Sequence, residues 1–418
     1  MNDILSNQLP QLVALITRSM TTREEKKAHW ATFKRHYDAQ LCEILGVDPA
    51  WGIQAGSLIG FDVDPDRKLI LLNYTAAAHN ILHEIDGGWT PALRQMRGLV
   101  YAYEEPGQIE GVRMVSRGFE KFFNQGELPE TSIDQLRKES EDRACLCVAK
   151  EDGHMIEYFL HNRELAATTR GRLGTPSANL ALQKIRRSTF IKAAVIAKRY
   201  NKDLMTLVCE FVDPTTEVHV DYRGESSLYL LEAYDTSGYP VGHGVLHDIA
   251  SQLFEHFKMP SMKIMSVKQL VKEINDRSVI NHEGWVAHVP TTEGGHRRVK
   301  FKYISYIGEM VKSKLSYKYL MKCIQNDRLD KMLFTLPEEI REKAYSMVAE
   351  IGDATNVGIA FGSGYKELYE LFNENEGGRD YFRTVCRDFY RAMQAVGRKR
   401  ISLARRAVPR FVEIDFSL

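Results

Sequence analysis

The spacing of apolar residues changes several times along the chain. Over residues 3–45, as in TTREEKKAHWATFKRHYDAQLCEIL, they recur at three and four with charges between, which predicts two leading helices ending near Gly46 and Pro49. From 57 to 232 short runs rich in β-branched and aromatic residues take over. These are KLILLNY, RGLVYAY, CLCVAK, MIEYFLH, LMTLVCEFV, EVHVDY and LYLLEAY, separated by the turn-forming DPDR, EEPGQ and EDG. One helical insertion, ANLALQKIRRSTFIKAAVIAKRY, interrupts them. Helical spacing returns between 245 and 275, and EGWVAHV and RRVKFKYISYI then read as two strands around the loop TTEGGH. Beyond 308, PEEIREKAYSMVAEI, KELYELFNEN and RDYFRTVCRDFYRAMQAV all favour helices.

This pattern predicts an α+β protein. A helical extension is expected over 1–48, antiparallel sheets with flanking helices over 49–308, and an all-helical C-terminal domain over 309–418. Strand signals stop at that last boundary, so no oligonucleotide-binding (OB) barrel is expected after the sheets.

Composition narrows the class. The 418 residues suit two or three domains, and 44% hydrophobic with 27% charged residues is enough to bury a core. A formal net charge of +1 excludes a polycation that coats nucleic acid over its whole surface, so any nucleic-acid surface must be local. Cys42, Cys145, Cys147, Cys209, Cys323 and Cys386 form no C-x-x-C pair, which fits buried thiols in a reducing compartment. No run of eighteen apolar residues occurs, and the opening MNDILSNQLPQLVALITRSM lacks the basic start of a secretory signal. A soluble, cytoplasmic chain with no membrane partner is expected.

The candidate chemistry centres on Lys150-Glu151-Asp152-Gly153, where the run CLCVA gives way to MIEYFL. A lysine at the end of a buried strand meets a low dielectric, and the glycine permits a tight turn. Alone, K-x-D-G arises by chance in roughly one chain in ten of this length, and a surface turn between two strands is then the better explanation. Its companions change the picture. In order come Arg97-Gly98, Lys121-Phe122-Phe123-Asn124, the Lys150 tetrapeptide, Glu210 in VCEFVDP, Glu283-Gly284-Trp285-Val286 and Lys300-Phe301-Lys302. Each lies on or beside an apolar run, and the period of two in Lys300-x-Lys302 points both amines to one sheet face.

This ordered series resembles the motifs of the covalent nucleotidyltransferases, most closely the bacteriophage RNA ligase 1 family. The resemblance covers residues 73–307 and implies an adenylyltransferase domain over 49–308. It implies an ATP-dependent RNA ligase in which the Lys150 amine attacks the α-phosphate of ATP and releases pyrophosphate. AMP then passes to a 5′-phosphate RNA end, and a 3′-hydroxyl displaces it. Magnesium or manganese is the implied cofactor, with RNA repair, tRNA included, as the setting.

By the same resemblance Lys300 and Lys302 face the α-phosphate, Arg97 and Lys121 the triphosphate, and Glu210 and Glu283 a hard cation or the ribose. Glu151, Asp152, Gly153, Phe123, Gly284 and Trp285 complete the nucleotide site. Arg170 in TTRG stands where the family carries a lysine, and Trp285 stands where it often has tyrosine. An ordinary lysine amine, with a pKa near 10.4, is nucleophilic in only about one molecule in a few thousand at neutral pH. Burial and neighbouring cations are expected to lower it. The rival readings are a DNA ligase, a GTP-dependent capping-type enzyme using the same lysine, and a non-catalytic RNA-binding protein.

Three further features stand outside this series. FGSGYK near Phe361 lacks phosphate-loop spacing and reads as a turn between helices. His243 and His247 read as a structural or surface pair. Arg379, Arg383, Arg387 and Arg391 recur every four residues in a stretch, 379–410, whose ten basic residues face only Asp380 and Asp388, a net +8. Like charges at this spacing repel on a helix, so an RNA partner or an acidic face of the same protein is expected to balance them.

Overall fold

Three helices lead the chain in the computed structural model: α1 (Leu9–Arg18), α2 (Lys26–His36) and α3 (Asp38–Leu45). The spacing predicted two; Tyr37, at φ −107 and ψ 19, breaks the second stretch. Gly46 ends α3 in the left-handed region at φ 67, as a helix-terminating glycine should. Leu9, Leu12, Ile16, Leu41 and Leu45 are fully buried in one cluster with Ile70, Leu72, Leu99 and Tyr101, and the Tyr101 hydroxyl donates to the Leu5 carbonyl at 2.7 Å.

The structure describes residues 3–18, 26–83, 85–216, 218–292 and 294–308, together with Leu320, Ile340, Ala344 and Met347. It divides into two units, Met1–Tyr303 and Ile304–Leu418. In the second, the described residues are all helical. The rest of the expected C-terminal domain, including Arg379, Arg383, Arg387 and Arg391, lies outside the described residues.

The first unit holds three sheets. One is antiparallel in the order β1 (Ile59–Asp64), β2 (Leu69–Tyr74), β3 (Arg97–Ala102) and β4 (Arg113–Ser116). Its strand β2 is buried on both faces, which is why LILLNY reads as an unbroken apolar run. Between β2 and β3 lie α4 (Ala76–Leu82) and α5 (Pro91–Gln95), each capped by a threonine, Thr75 and Thr90, that accepts an amide of the first turn.

After β5 (Phe123–Asn124) and α6 (Ile133–Ser140) come β6 (Cys145–Lys150), β7 (His154–His161) and β8 (Glu164–Thr169). The helical insertion forms α7 (Pro176–Leu182) and α8 (Arg187–Lys198), followed by β9 (Leu204–Val212), β10 (Ser227–Asp235) and α9 (His243–Gln252). The second sheet, antiparallel, runs β10-β9-β7-β8. One of its faces packs Tyr158, Leu207, Cys209 and Phe211 against Phe190 and Ile196 of α8 and Leu246 and Ile249 of α9. Full burial of a ring such as Phe211 stabilises by about 2–3 kcal/mol.

The third sheet adds β11 (Met262–Met265), β12 (Gly284–Thr291) and β13 (Gly295–Lys302), with α10 (Val267–Ile274) before β12. Its order is β11-β6-β12-β13-β5, antiparallel except where β13 meets β5.

EVHVDY, read as a strand, is not one among its described residues. The amides of His219 and Val220 turn into the Asp152 carboxylate and so have no ladder to join. RRVKFKYISYI is a strand only to Lys302, after which 304–308 is helical. Among the described residues no helix is long and apolar enough to cross a membrane.

Candidate active site

Register across three strands of the third sheet assembles the centre. Lys150 on β6 pairs with Gly284 on β12, which pairs with Lys302 on β13. One step further, Val148, Val286 and Lys300 align in the same way. Because side chains alternate along strands, Lys150, Lys300 and Lys302 share one face over a floor of Val148 and Val286. Glu283, one residue before β12, reaches across both lysines. Its Oε2 lies 2.8 Å from Lys150 Nζ and its Oε1 3.3 Å from Lys302 Nζ. Its own side chain is 5% exposed, against 23% for Lys150 and 11% for Lys302. A Cβ on Gly284 would stand 2.0 Å from the Phe301 carbonyl oxygen, so only glycine lets β12 lie this close beside β13.

Glu210, on β9, faces the same centre and accepts the Gly153 amide at 3.2 Å. Burial, with the Glu283 and Asp152 charges against the relief from Lys150 and Arg97, pushes its carboxyl up to about 7. At Lys150 burial pulls downward, but the Glu283 and Glu210 carboxylates outweigh it and the amine stands above its ordinary value. This reverses the expectation that cations would surround the amine and lower it: its nearest neighbours are carboxylates.

The rest of the lysine motif is held by the loop at 219–222. Asp152 accepts the His219 and Val220 amides, and Tyr222, which the sequence reading passed over, accepts the Asp152 amide at 2.7 Å and donates to Glu151 at 3.1 Å. Burial raises the Glu151 carboxyl. A Cβ on Gly153 would lie 2.4 Å from the Phe211 carbonyl oxygen. This glycine therefore permits close packing of β7 on β9.

A second group of cations adjoins the first. Lys300 and Arg97 flank the Phe122 ring at 5.0 and 5.7 Å, and Arg97 Nη1 donates to Met155 Sδ at 3.2 Å. Arg170 Nη1 donates to the Tyr74 hydroxyl at 3.4 Å. Burial lowers the Arg97 guanidinium, with Tyr74 and Glu210 acting against it and Arg170 for it, so these side chains feel one another's charge. Lys121, 4% exposed, lies over Phe123 at 4.6 Å and donates to Glu127 at 3.3 Å.

Two expected nucleotide contacts stand elsewhere. Trp285 is one residue out of phase with Gly284 and lies on the far face of the sheet, 6% exposed, its indole donating to Tyr303 at 2.9 Å. Phe123 is 2% exposed, packed against Trp89 and His83. The half-buried neighbour Phe122 is the ring that meets Lys300 and Arg97; nothing in F-F distinguishes the two before the register is known.

Between the first and second sheets stands Glu157, fully buried on β7, which belongs to none of the motifs read from the sequence. It accepts from Ser116 at 2.7 Å, while burial, against that bond and the charges of Arg97 and Arg117, pushes its carboxyl up to about 8. Its oxygen fills the space that a Cβ on Gly98 or Gly118 would need, at 2.5 and 2.3 Å. Gly98, at φ +84, is therefore fixed twice over beside Arg97.

The chemistry of this arrangement is specific. Glu210 and Glu283 form a hard oxygen donor set in which the Glu283 charge raises the cost of charging Glu210, a cost that a divalent cation would relieve. Lys302, Lys300, Arg97 and Arg170 continue from it as a row of cations of the kind that compensates phosphate charge. The residues present thus fit a nucleoside triphosphate with a hard cation.

A protein of Thermovibrio ammonificans named "Putative RNA ligase" is 27% identical over 199 residues, 47% of this chain and 48% of that protein. The chain thus spans about half the length of this curated relative. Among solved structures, an archaeal ATP-dependent RNA ligase (form 2) superposes with a TM-score of 0.40 at 12% identity, covering 71% of this chain and 67% of that one. A Naegleria gruberi RNA ligase with pyrophosphate gives 0.33 at 15% identity, over 42% and 54%. The family model of T4 ligase 1 type, described as RNA ligase, matches residues 95–322, more than half of the chain and every motif from Arg97 to Lys302. On that match, the chain belongs to the phage-type RNA ligase 1 family.

Proposed function

We propose that this protein is an ATP-dependent RNA ligase that joins 5′-phosphate and 3′-hydroxyl RNA ends through a lysyl-AMP on Lys150. The observation that carries the reading is Glu283 spanning Lys150 and Lys302 across the β6-β12-β13 register. It holds the amine fixed beside a cation suited to the phosphate that the amine must attack.

In the first step the Lys150 lone pair attacks the α-phosphorus of ATP, the bond to the bridging oxygen breaks, and pyrophosphate leaves with the electron pair. The amine must shed a proton, and Glu283 Oε2, 2.8 Å away, is the acceptor in place. Lys300 and Lys302 meet the α-phosphate, while Arg97, Arg170 and Lys121 compensate the departing charge. A magnesium or manganese ion held by Glu210 and Glu283 would supply Lewis-acid stabilisation at the phosphate oxygens. In the second step an oxygen of the RNA 5′-phosphate attacks the lysyl-bound phosphorus, and Lys150 recovers its proton as the N–P bond breaks. In the third, the 3′-hydroxyl attacks the 5′-phosphorus and AMP departs.

We place the adenylyltransferase domain at 49–308 and assign the arginine row at 379–391 to RNA. Repair of broken RNA in the cytoplasm, tRNA among its substrates, is the role this assignment fits. The test is circularisation of a 5′-phosphorylated RNA by the purified protein, with GTP and a 5′-phosphorylated DNA as comparators. Closed RNA circles with ATP are expected; sealing of DNA alone, or dependence on GTP, would overturn the assignment.

A further inference from the structure

His79 lies on α4 and His83 at its C-cap, four residues apart and so on one helix face. Glu127 comes from the loop after β5. One ligand atom from each of the three lies within 4.8 Å of the others. The cluster is enclosed: His79 is 7% exposed and the Glu127 side chain 8%. Rings of Trp89 and Phe123 stand 5.7 and 5.6 Å from that of His83.

Two of the liganding groups, His83 and Glu127, are held from their far sides. The neighbours of His83 Nδ1 are the His79 carbonyl oxygen and the indole N–H of Trp89, which donates to it at 3.3 Å. An Nδ1 hydrogen directed at that carbonyl would leave Nε2 as the ligating nitrogen. Nε2 lies 2.6 Å from Glu127 Oε1, a hydrogen bond and ion pair that a bound ion would replace. Glu127 Oε2 is held by the Asn124 amide at 2.6 Å and its side-chain nitrogen at 2.8 Å. An imidazole anchored through Nδ1 to a carbonyl, opposite a carboxylate anchored by amides, is how outer hydrogen bonds aim metal ligands.

We propose that His79, His83 and Glu127 bind a divalent transition-metal ion of the zinc type, tying α4 to the loop after β5. Two imidazoles and one carboxylate suit zinc, cobalt or nickel and disfavour magnesium, which takes oxygen ligands. This separates the site from the oxygen pair Glu210 and Glu283. Bonds of about 2.0–2.2 Å to zinc would draw the three ligand atoms to within roughly 3.5 Å of each other and leave a fourth position for water. Lys121 Nζ, 3.3 Å from the same Glu127 oxygen, competes with the ion for it.

The test is titration of the chelator-stripped full-length protein with Co²⁺, followed by the visible d–d bands, with zinc content after dialysis measured by plasma mass spectrometry. One equivalent per chain is expected, with intense bands that persist in Glu283→Gln and are lost in His79→Asn and in His83→Asn. Lys121→Ala, which removes the competing cation, should tighten cobalt binding by about tenfold. Substoichiometric zinc together with absent bands in the wild-type protein would overturn the proposal, whatever the folding of the variants. So would bands that survive both histidine substitutions and vanish in Glu283→Gln.

Discussion

The Glu283 carboxylate lies 2.8 Å from the Lys150 amine and holds its proton affinity above the ordinary lysine range. In this state the amine is oriented but charged. Glutamine at 283 keeps the shape and removes the charge, so Glu283→Gln should slow transfer of label from ATP to protein by about a hundredfold, the scale of one lost electrostatic contact. Lys302→Ala should slow it by about tenfold, because Glu283 still holds Lys150. Single-turnover labelling distinguishes the two, and equal rates for wild type and Glu283→Gln would remove the clamp from the mechanism.

Glu210 gives the reaction a pH dependence. Its carboxyl, pushed up to about 7, stays protonated below that value and is a poor ligand for a hard cation there. Label transfer at fixed magnesium should therefore rise as pH rises through about 7, and Glu210→Gln should be slower and lack that inflection. A wild-type inflection retained in Glu210→Gln would assign it to another group.

Glu157 makes a prediction about stability. Its carboxyl, ordinarily near 4.5, is pushed up to about 8 by burial, so between those values the folded chain binds a proton that the unfolded chain has lost. Its contribution then declines as pH rises from 4.5 to 8. Thermal midpoints measured across that interval should fall less steeply in Glu157→Gln than in the wild type; parallel curves would count against the buried neutral acid.

Trp285 separates the two faces of the third sheet. Trp285→Phe loses the 2.9 Å bond to Tyr303 and should cost stability by about 1 kcal/mol, while label transfer stays within about twofold of wild type. A fall in transfer beyond tenfold in a folded variant would return Trp285 to the nucleotide side.

Much of this was legible in the residues alone. The period of two in Lys300-x-Lys302 placed both amines on one face, Gly46 marked the end of α3, and the order of motifs named the family. Less legible was everything that depends on register. Phe122 and Phe123 are indistinguishable until Asn124 is seen paired with Lys300, and Trp285 could not be turned from the site before Gly284 was aligned with Lys150. The sign of the Lys150 shift also needed distances, since Glu283 is far from it in sequence and its nearest partner in space. EVHVDY misled because its alternation is used by a loop whose amides serve Asp152.

A covalent bond between Lys150 and AMP is the central expectation. Protein incubated with ATP and magnesium, digested and mapped by mass spectrometry should carry one adenylyl group on the peptide containing Lys150, absent from Lys150→Ala and released when pyrophosphate is added. An adenylyl group on another residue, or none in protein that still seals RNA, would contradict it.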